Sequence, residues 1–427
     1  MSVQLAIFLC CLLGIANLCI LVRQIRKQHW WGLISPVVAA VIFLVLAGLG
    51  LLADLRGILK TTRAWLGIFL TPLSITGLIW GFLVLFLWKA RYFTRGMVGW
   101  GLLNVFTLIL VVALGSSEQI EVAASGDHLA VLVALGVTVY FVWFGIRQAV
   151  ANDQRIESGQ KPWESFFAGK VPTWPDLVYI EAICAIVVLA ALTLWGLSVR
   201  APLEAPANPA ITPNPAKAPW YFVGLQELLV YFDASLAGTV LPLLVVIGLL
   251  LIPFLDPNPQ GNGYYTLRER PVAIAVFLFG FLGLWWYLIM VGMFFRGADW
   301  AFVTYSPPTT LQTEVRHAAY PLSAIFWEKC LGVCWFREAH MLPGYRPVYA
   351  LVREAPGMLV LAAYLVGLPW WLARTWCRPM YERLGPSRYW CLQLLLLIML
   401  SIPVKILLRW LCNLSYVLAL PEWRLFL

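Results

Sequence analysis

The chain has 427 residues, of which 61% are hydrophobic and only 12% charged. That balance excludes a water-soluble globular protein and fits a chain that crosses a lipid bilayer many times. The formal net charge is +9, but its placement along the chain, taken up below, argues against a nucleic-acid partner.

A helix needs about 20 apolar residues to cross the hydrocarbon layer. About ten stretches meet that length: 4–22, 32–53, 66–88, 97–115, 128–147, 176–198, 236–255, 271–294, 354–373 and 389–411. The pattern predicts an all-α polytopic membrane protein. The first stretch has the length of a secretory leader, but Met1-Ser2-Val3-Gln4 is uncharged and Arg23, Arg26 and Lys27 follow the apolar run. That order suits an uncleaved anchor with its N-terminus outside. Counted from there, the short inner loops hold Lys89, Arg91 and Arg95, then Arg155, Lys161 and Lys170, then Arg268 and Arg270, then Arg374, Arg378, Arg383 and Arg388. The outer connection 116–127 holds no basic residue. Positive charge is therefore explained by membrane topology.

Residues 1–150 form a five-helix N-terminal region. A polar inner linker, 151–172, follows. Pro172-Thr173-Trp174-Pro175-Asp176 opens the sixth helix, with proline and aspartate where a helix start favours them. The seventh closes at Ile252-Pro253-Phe254-Leu255-Asp256-Pro257, and the eighth opens after Arg268-Glu269-Arg270-Pro271. The outer segment 299–353 is long for a structureless loop, and Glu314 to Glu338 predicts a surface helix along the membrane. Two helices in 354–427 close the chain. Without an inverted repeat, a solute transporter is disfavoured.

The four histidines, His29, His128, His317 and His340, fall in loops or at helix ends. A haem inside a helix bundle needs axial ligands from helix interiors, so the first 150 residues are expected to carry no haem ligands. The nine cysteines show no metal spacing and no Cys-x-x-Cys-His. Cys330 and Cys334 stand at helical spacing in the outer segment, and a disulfide and two free thiols are both open there. Glu181, Lys405 and Arg409 lie towards helix ends. No chain of buried acids, as an ion pump would need, is visible.

The richest local signal is Pro213-Asn214-Pro215-Ala216-Lys217-Ala218-Pro219-Trp220-Tyr221-Phe222, running on to Glu227 and Asp233. Prolines fix the backbone, and three adjacent rings supply flat apolar faces with an indole N–H and a phenol. Such a wall suits a planar, membrane-dissolved molecule carrying polar oxygens, such as a quinone. An interfacial aromatic belt without a ligand fits the same residues, and the rings alone leave both readings open.

Residues 173–298 resemble the C-terminal domain of cytochrome b, the part that is a separate subunit IV in chloroplast-type complexes. Trp220-Tyr221-Phe222, Ile252-Pro253-Phe254-Leu255 and Arg270-Pro271-Val272-Ala273 carry the resemblance, with the order helix, proline-rich outer loop, helix, short inner loop, helix. It implies a quinol-oxidation site on the outer side, walled by Pro219, Trp220, Tyr221 and Phe222. The family's Pro-Glu-Trp-Tyr signature is altered: Ala218 stands for the proline and Pro219 for the glutamate held to accept the quinol proton. Glu227, two helical turns on, is the candidate proton acceptor in its place; a helix-end surface carboxylate is the alternative. A second Pro-Glu-Trp, at Pro421-Glu422-Trp423, lies outside the matching topology.

The resemblance further implies a haem-free membrane subunit of a cytochrome bc-type quinol oxidoreductase in a bacterial inner membrane. Its implied partners are a haem-bearing cytochrome b N-terminal-like subunit, a Rieske iron–sulfur protein and c-type cytochrome subunits. The b-type haems and the iron–sulfur cluster belong to those partners, and no metal is ligated by this chain. The alternative, suggested by Pro219, is a redox-inert scaffold that keeps the fold without the chemistry.

Overall fold

The computed structural model describes residues 2–26, 34–52, 71–115, 126–198 (except 168, 170 and 171), 208–302 (except 211 and 213), 319–333 and 346–427 (except 424). The elements are almost all helical. In chain order they begin with α1 (Ser2–Arg26), α2 (Ile34–Leu52), α3 (Pro72–Trp88), α4 (Gly96–Gly115) and α5 (Gly126–Glu157). Then come α6 (Thr173–Ser198), the short α7 (Trp220–Leu228), α8 (Leu236–Leu255) and α9 (Pro271–Phe295). A short α10 runs through Leu322–Ala324 and Ile325–Cys330. The chain ends with α11 (Arg346–Arg353), α12 (Ala355–Arg374), α13 (Arg378–Leu384) and α14 (Pro386–Cys412), then an antiparallel pair, Ala419–Leu420 with Leu425–Phe426.

Among the described residues seven helices are long and apolar enough to cross a membrane, and three shorter apolar helices join them. They fall on the ten stretches read from the sequence. The protein is an all-α polytopic membrane protein. Helix starts follow local chemistry: Pro72 opens α3 behind Thr71, whose hydroxyl oxygen accepts the Ser74 N–H at 3.2 Å, and Pro271 opens α9. Helix α14 begins after Gly385 at φ +74° and stops at Asn413, a left-handed cap.

Two features differ from the sequence reading. Helix α5 continues to Glu157, well beyond its apolar stretch and into the segment expected as a linker. Its polar end is stabilised by contacts that no local pattern reveals. Asn152 donates to Tyr265 O and Glu164, and Asp153 accepts from the Thr266 hydroxyl and the Leu267 N–H. Of the surface helix expected over 314–338, residues 319–333 are described and only α10 is helical, tied to the start of α12 through Ser323 and Glu354; 314–318 and 334–338 lie outside the described residues. Cys330 is exposed, and Cys334 is also outside them.

The helices alternate between two ends. At one end Glu157 pairs with Arg91 and Arg268, and the α1 residue Gln24 reaches Met97 at the start of α4. This basic end is the one that charge asymmetry assigns to the cytoplasm. At the other end lie α7, the close of α9, α10 and the end of α14, where Tyr320 N–H donates to Asn413 O and Leu322 N–H to Tyr416 O.

Lipid tails are as apolar as leucine, so helices in a bilayer associate through close packing and polar contacts. Both occur here. Asn17 and Asn104 pair across α1 and α4 at 2.8 Å, and Trp100 donates to Asn17 at 2.7 Å. The Trp80 indole of α3 donates at 2.7 Å to the Gly283 carbonyl of α9, within a wide-turn stretch, Phe279–Trp286. Such turns free carbonyls for outside donors. By contrast, α6 buries none of its residues.

Replacing Asn17 or Asn104 by alanine is expected to weaken the α1–α4 contact, with a coupling of about 0.5–2 kcal/mol between the two sites. A double-mutant cycle of thermal unfolding in detergent measures it; a coupling indistinguishable from zero would refute the clasp.

Candidate functional site

Pro219 caps α7 in an extended conformation and places Trp220, Tyr221 and Phe222 in the first helical turn. Successive helical residues diverge by about 100°, so the three rings take different surroundings. Trp220 turns inward and stacks on Trp286 of α9, with centroids 6.4 Å apart and 15° between planes. Tyr221 and Phe222 remain 48% and 53% exposed, with ring centroids 4.9 Å apart. The result is an open two-ring ledge backed by a stacked indole pair. Behind it, Val223, Ile289, Met293 and the α5 residue Val131 close a buried cluster.

Further along the inner face of α7 the surroundings become polar and sealed. Glu227 is fully buried, and its two oxygens are occupied. Arg296 grips it with Nη2–Oε1 at 2.7 Å and Nε–Oε2 at 2.9 Å; Tyr231 OH donates at 3.0 Å and Trp300 Nε1 at 2.9 Å. Burial pushes the Tyr231 phenol well up, and the neighbouring carboxylate pushes the same way. For Arg296 burial acts to lower the guanidinium, but Glu227 overrides it and the pKa is raised. Asp299 and Trp300 follow with positive φ, 54° and 57°. Left-handed backbone costs about 1–2 kcal/mol per residue away from glycine. It is held here by Trp300's bond to Glu227 and by Asn214, whose amide donates to Asp299 at 2.9 Å while its own oxygen accepts the Asp299 N–H.

Close backbone approach makes this junction possible. A Cβ at Gly292 would stand 2.3 Å from Val223 Cγ1, and one at Gly224 would meet Ile289 Cγ1 at 3.3 Å. The two glycines let α7 lie against α9.

Three polar groups remain near the ledge. Lys217, partly buried, donates to the Met293 carbonyl at 2.7 Å, and Gln226 ties down the same loop through Ala216 O and the Ala218 N–H. Burial lowers Lys217 to about 8, with Glu227's charge opposing. The Trp286 indole N–H is buried and has no acceptor among the described residues. An unmet buried donor costs about 1–3 kcal/mol.

Thus the structure sets Trp220, Tyr221 and Phe222 on the first turn of α7 behind Pro219, and turns Glu227 inward onto α9 along the same face as Trp220, away from the two exposed rings. Sequence reasoning missed Arg296, Trp300, Tyr231, Trp286 and Lys217 as members of the site. Arg296 had one visible signal, a lone cation directly after an apolar span. Of the histidines, His29, His317 and His340 lie outside the described residues, as does the side chain of His128. Among the described residues no group of three or more His, Cys, Asp and Glu side chains could hold a metal. Pro421–Trp423, the second Pro-Glu-Trp, is a short turn between the two terminal strands.

Residues 206–301 match the family model described as cytochrome b (C-terminal)/b6/petD. The matched span holds the ledge, α7, α8, α9 and the Arg296–Trp300 turn. The match supports a cytochrome b C-terminal, subunit IV-like domain over this part of the chain. No solved structure matches the chain.

Removing only one partner of the buried pair leaves the other charge uncompensated. Glu227→Ala is expected to cost about 3–5 kcal/mol, and the double replacement Glu227→Leu, Arg296→Met markedly less. Thermal unfolding of the detergent-purified protein distinguishes them; equal losses would show that the pair is not a unit. Lys217 has a folded pKa below its unfolded 10.5, so the unfolded chain binds more protons between about 8 and 10.5. Wild-type stability relative to Lys217→Met is therefore expected to rise with pH through that window. Melting midpoints of both proteins from pH 7.5 to 10.5 check the sign.

Proposed function

We propose that this chain is a haem-free membrane subunit of a cytochrome bc-type quinol oxidoreductase in a bacterial inner membrane, and that its ledge walls the outer-side quinol-oxidation site. The observation that carries the reading is the exposed Tyr221–Phe222 pair. It lies inside the span that matches the cytochrome b C-terminal family, at the end of the helices opposite the basic loops. Exposed rings backed by a rigid indole pair suit the flat, amphipathic head of a quinol.

In this reading the chain binds and orients. Tyr221 and Phe222 contact the ring of the substrate, Trp220 is held in place by Trp286, and the Glu227–Arg296 pair fixes the angle of α7. A Rieske iron–sulfur protein and b-type haems in a neighbouring cytochrome b N-terminal-like subunit would supply the electron acceptors, with c-type cytochromes downstream. Helix α6, bare along its length, offers a contact surface for the haem-bearing partner.

A second reading, a redox-inert scaffold, draws on Pro219 and on Glu227. The ledge itself carries no carboxylate, and Glu227 has its oxygens filled by Arg296, Tyr231 and Trp300. Quinol turnover of the purified complex separates the two. Losing one aromatic contact, worth about 0.5–1.5 kcal/mol, Tyr221→Ala is expected to raise KM for quinol about 3- to 10-fold. Turnover unchanged in Tyr221→Ala and in Phe222→Ala would leave the scaffold.

A further inference from the structure

A hydroquinone bound on the ledge must lose its hydroxyl protons to something, and the ionisable groups around the ledge divide sharply. Glu227 already accepts from Arg296, Tyr231 and Trp300. Arg296 stays protonated at any relevant pH. The Tyr231 phenol donates to Glu227 and is buried. Asp299 lies on the turn after α9, engaged with Asn214. Tyr221, exposed on the ledge, presents a hydroxyl that already carries its proton. That leaves Lys217.

Lys217 stands two residues before Pro219, on the proline-stiffened loop that leads into the ledge. Its amine reaches the Met293 carbonyl, and the Met293 side chain is buried with Ala218, Trp220 and Trp286 in the cluster behind the rings. One N–H is thereby fixed, which orients the rest of the amine. We propose that Lys217 is the proton-accepting residue of the ledge, taking the hydroxyl proton of a bound hydroquinone; this rests on the quinol reading of the site. In the step the substrate O–H bond breaks and an N–H bond forms on Nζ. The neutral amine becomes an ammonium, and the substrate keeps the electron pair as an anion. The electrons then leave one at a time to an oxidised metal centre of a partner subunit, and the ammonium returns its proton to water on the outer side.

The charge environment suits the role. Burial brings the amine down to about 8, and Glu227 faces it from α7 and limits that fall. Glu227 is in turn bonded to Arg296, Tyr231 and Trp300. A lysine with one hydrogen bond to a carbonyl and a lowered pKa can exchange protons where an exposed lysine, near 10.4, stays charged.

The test is the pH profile of quinol oxidation by the purified complex, from pH 6 to 10, with a short-chain hydroquinone. Wild type is expected to show a rising limb with a midpoint near 8. Lys217→Met and Lys217→Arg should both lose that limb and about 10²-fold in rate, while Lys217→His should restore a limb at lower pH, near 6.5. Quenching of tryptophan fluorescence by a quinone shows whether each variant still binds. A Lys217→Met complex that keeps the limb at its wild-type midpoint overturns the proposal. Trp220→Ala and Tyr221→Ala serve as the separate arm: if they change neither turnover nor quenching, the quinol reading itself fails. If they do change them and the lysine variants keep the limb, only the role of Lys217 is lost.

Discussion

A buried carboxylate in a membrane protein cannot stand alone, and here Glu227 draws its partners from far along the chain. Arg296 closes on it at the end of α9, Trp300 reaches back from the following turn, and Tyr231 adds a phenol from the turn after α7. Isolated, either charge would carry a desolvation cost of several kcal/mol. Together they dictate where α7 lies, how the chain leaves α9, and which face of α7 is free. Even the left-handed backbone of Asp299 and Trp300 is tolerated because it delivers an indole to this carboxylate.

The ledge is the consequence. With the inner side of α7 locked onto α9 by Glu227 and by Trp220, which rests on Trp286, the rings of Tyr221 and Phe222 are turned outward and stay open. Gly224 and Gly292 set the spacing between α7 and α9, and Lys217 ties the incoming loop to α9 through a carbonyl. Elsewhere the same economy holds. Glu354 accepts from Ser323 and from the Ala419 N–H, drawing α10 and the terminal strands onto α12. Among the described residues few ionisable groups are buried, and each of these two joins segments distant in sequence.

Much of the fold was legible because the bilayer imposes a length and a polarity on every crossing segment. The spans, the proline-marked starts of α6 and α9 and the basic face could all be read from residues close together. The ring triplet was legible for the same reason, and it lies within the span that matches the cytochrome b C-terminal family. What the sequence concealed depends on contacts between distant positions. Nothing near Glu227 announces Arg296, and neither residue's neighbours distinguish a sealed ion pair from a surface acid. The polar end of α5 looked like a linker because Asn152 and Asp153 find their partners in the loop before α9. Trp286 looked like one more apolar residue until its unmet N–H was placed against Trp220.

The central claim is that the exposed rings of α7 border a pocket for a hydroquinone. Photolabelling the purified complex with an azido-quinone, followed by peptide mapping, tests it most directly. The account predicts adducts on residues 217–222, displaced by excess unlabelled quinone. Adducts confined to other segments, with 217–222 unlabelled under every condition, would contradict it.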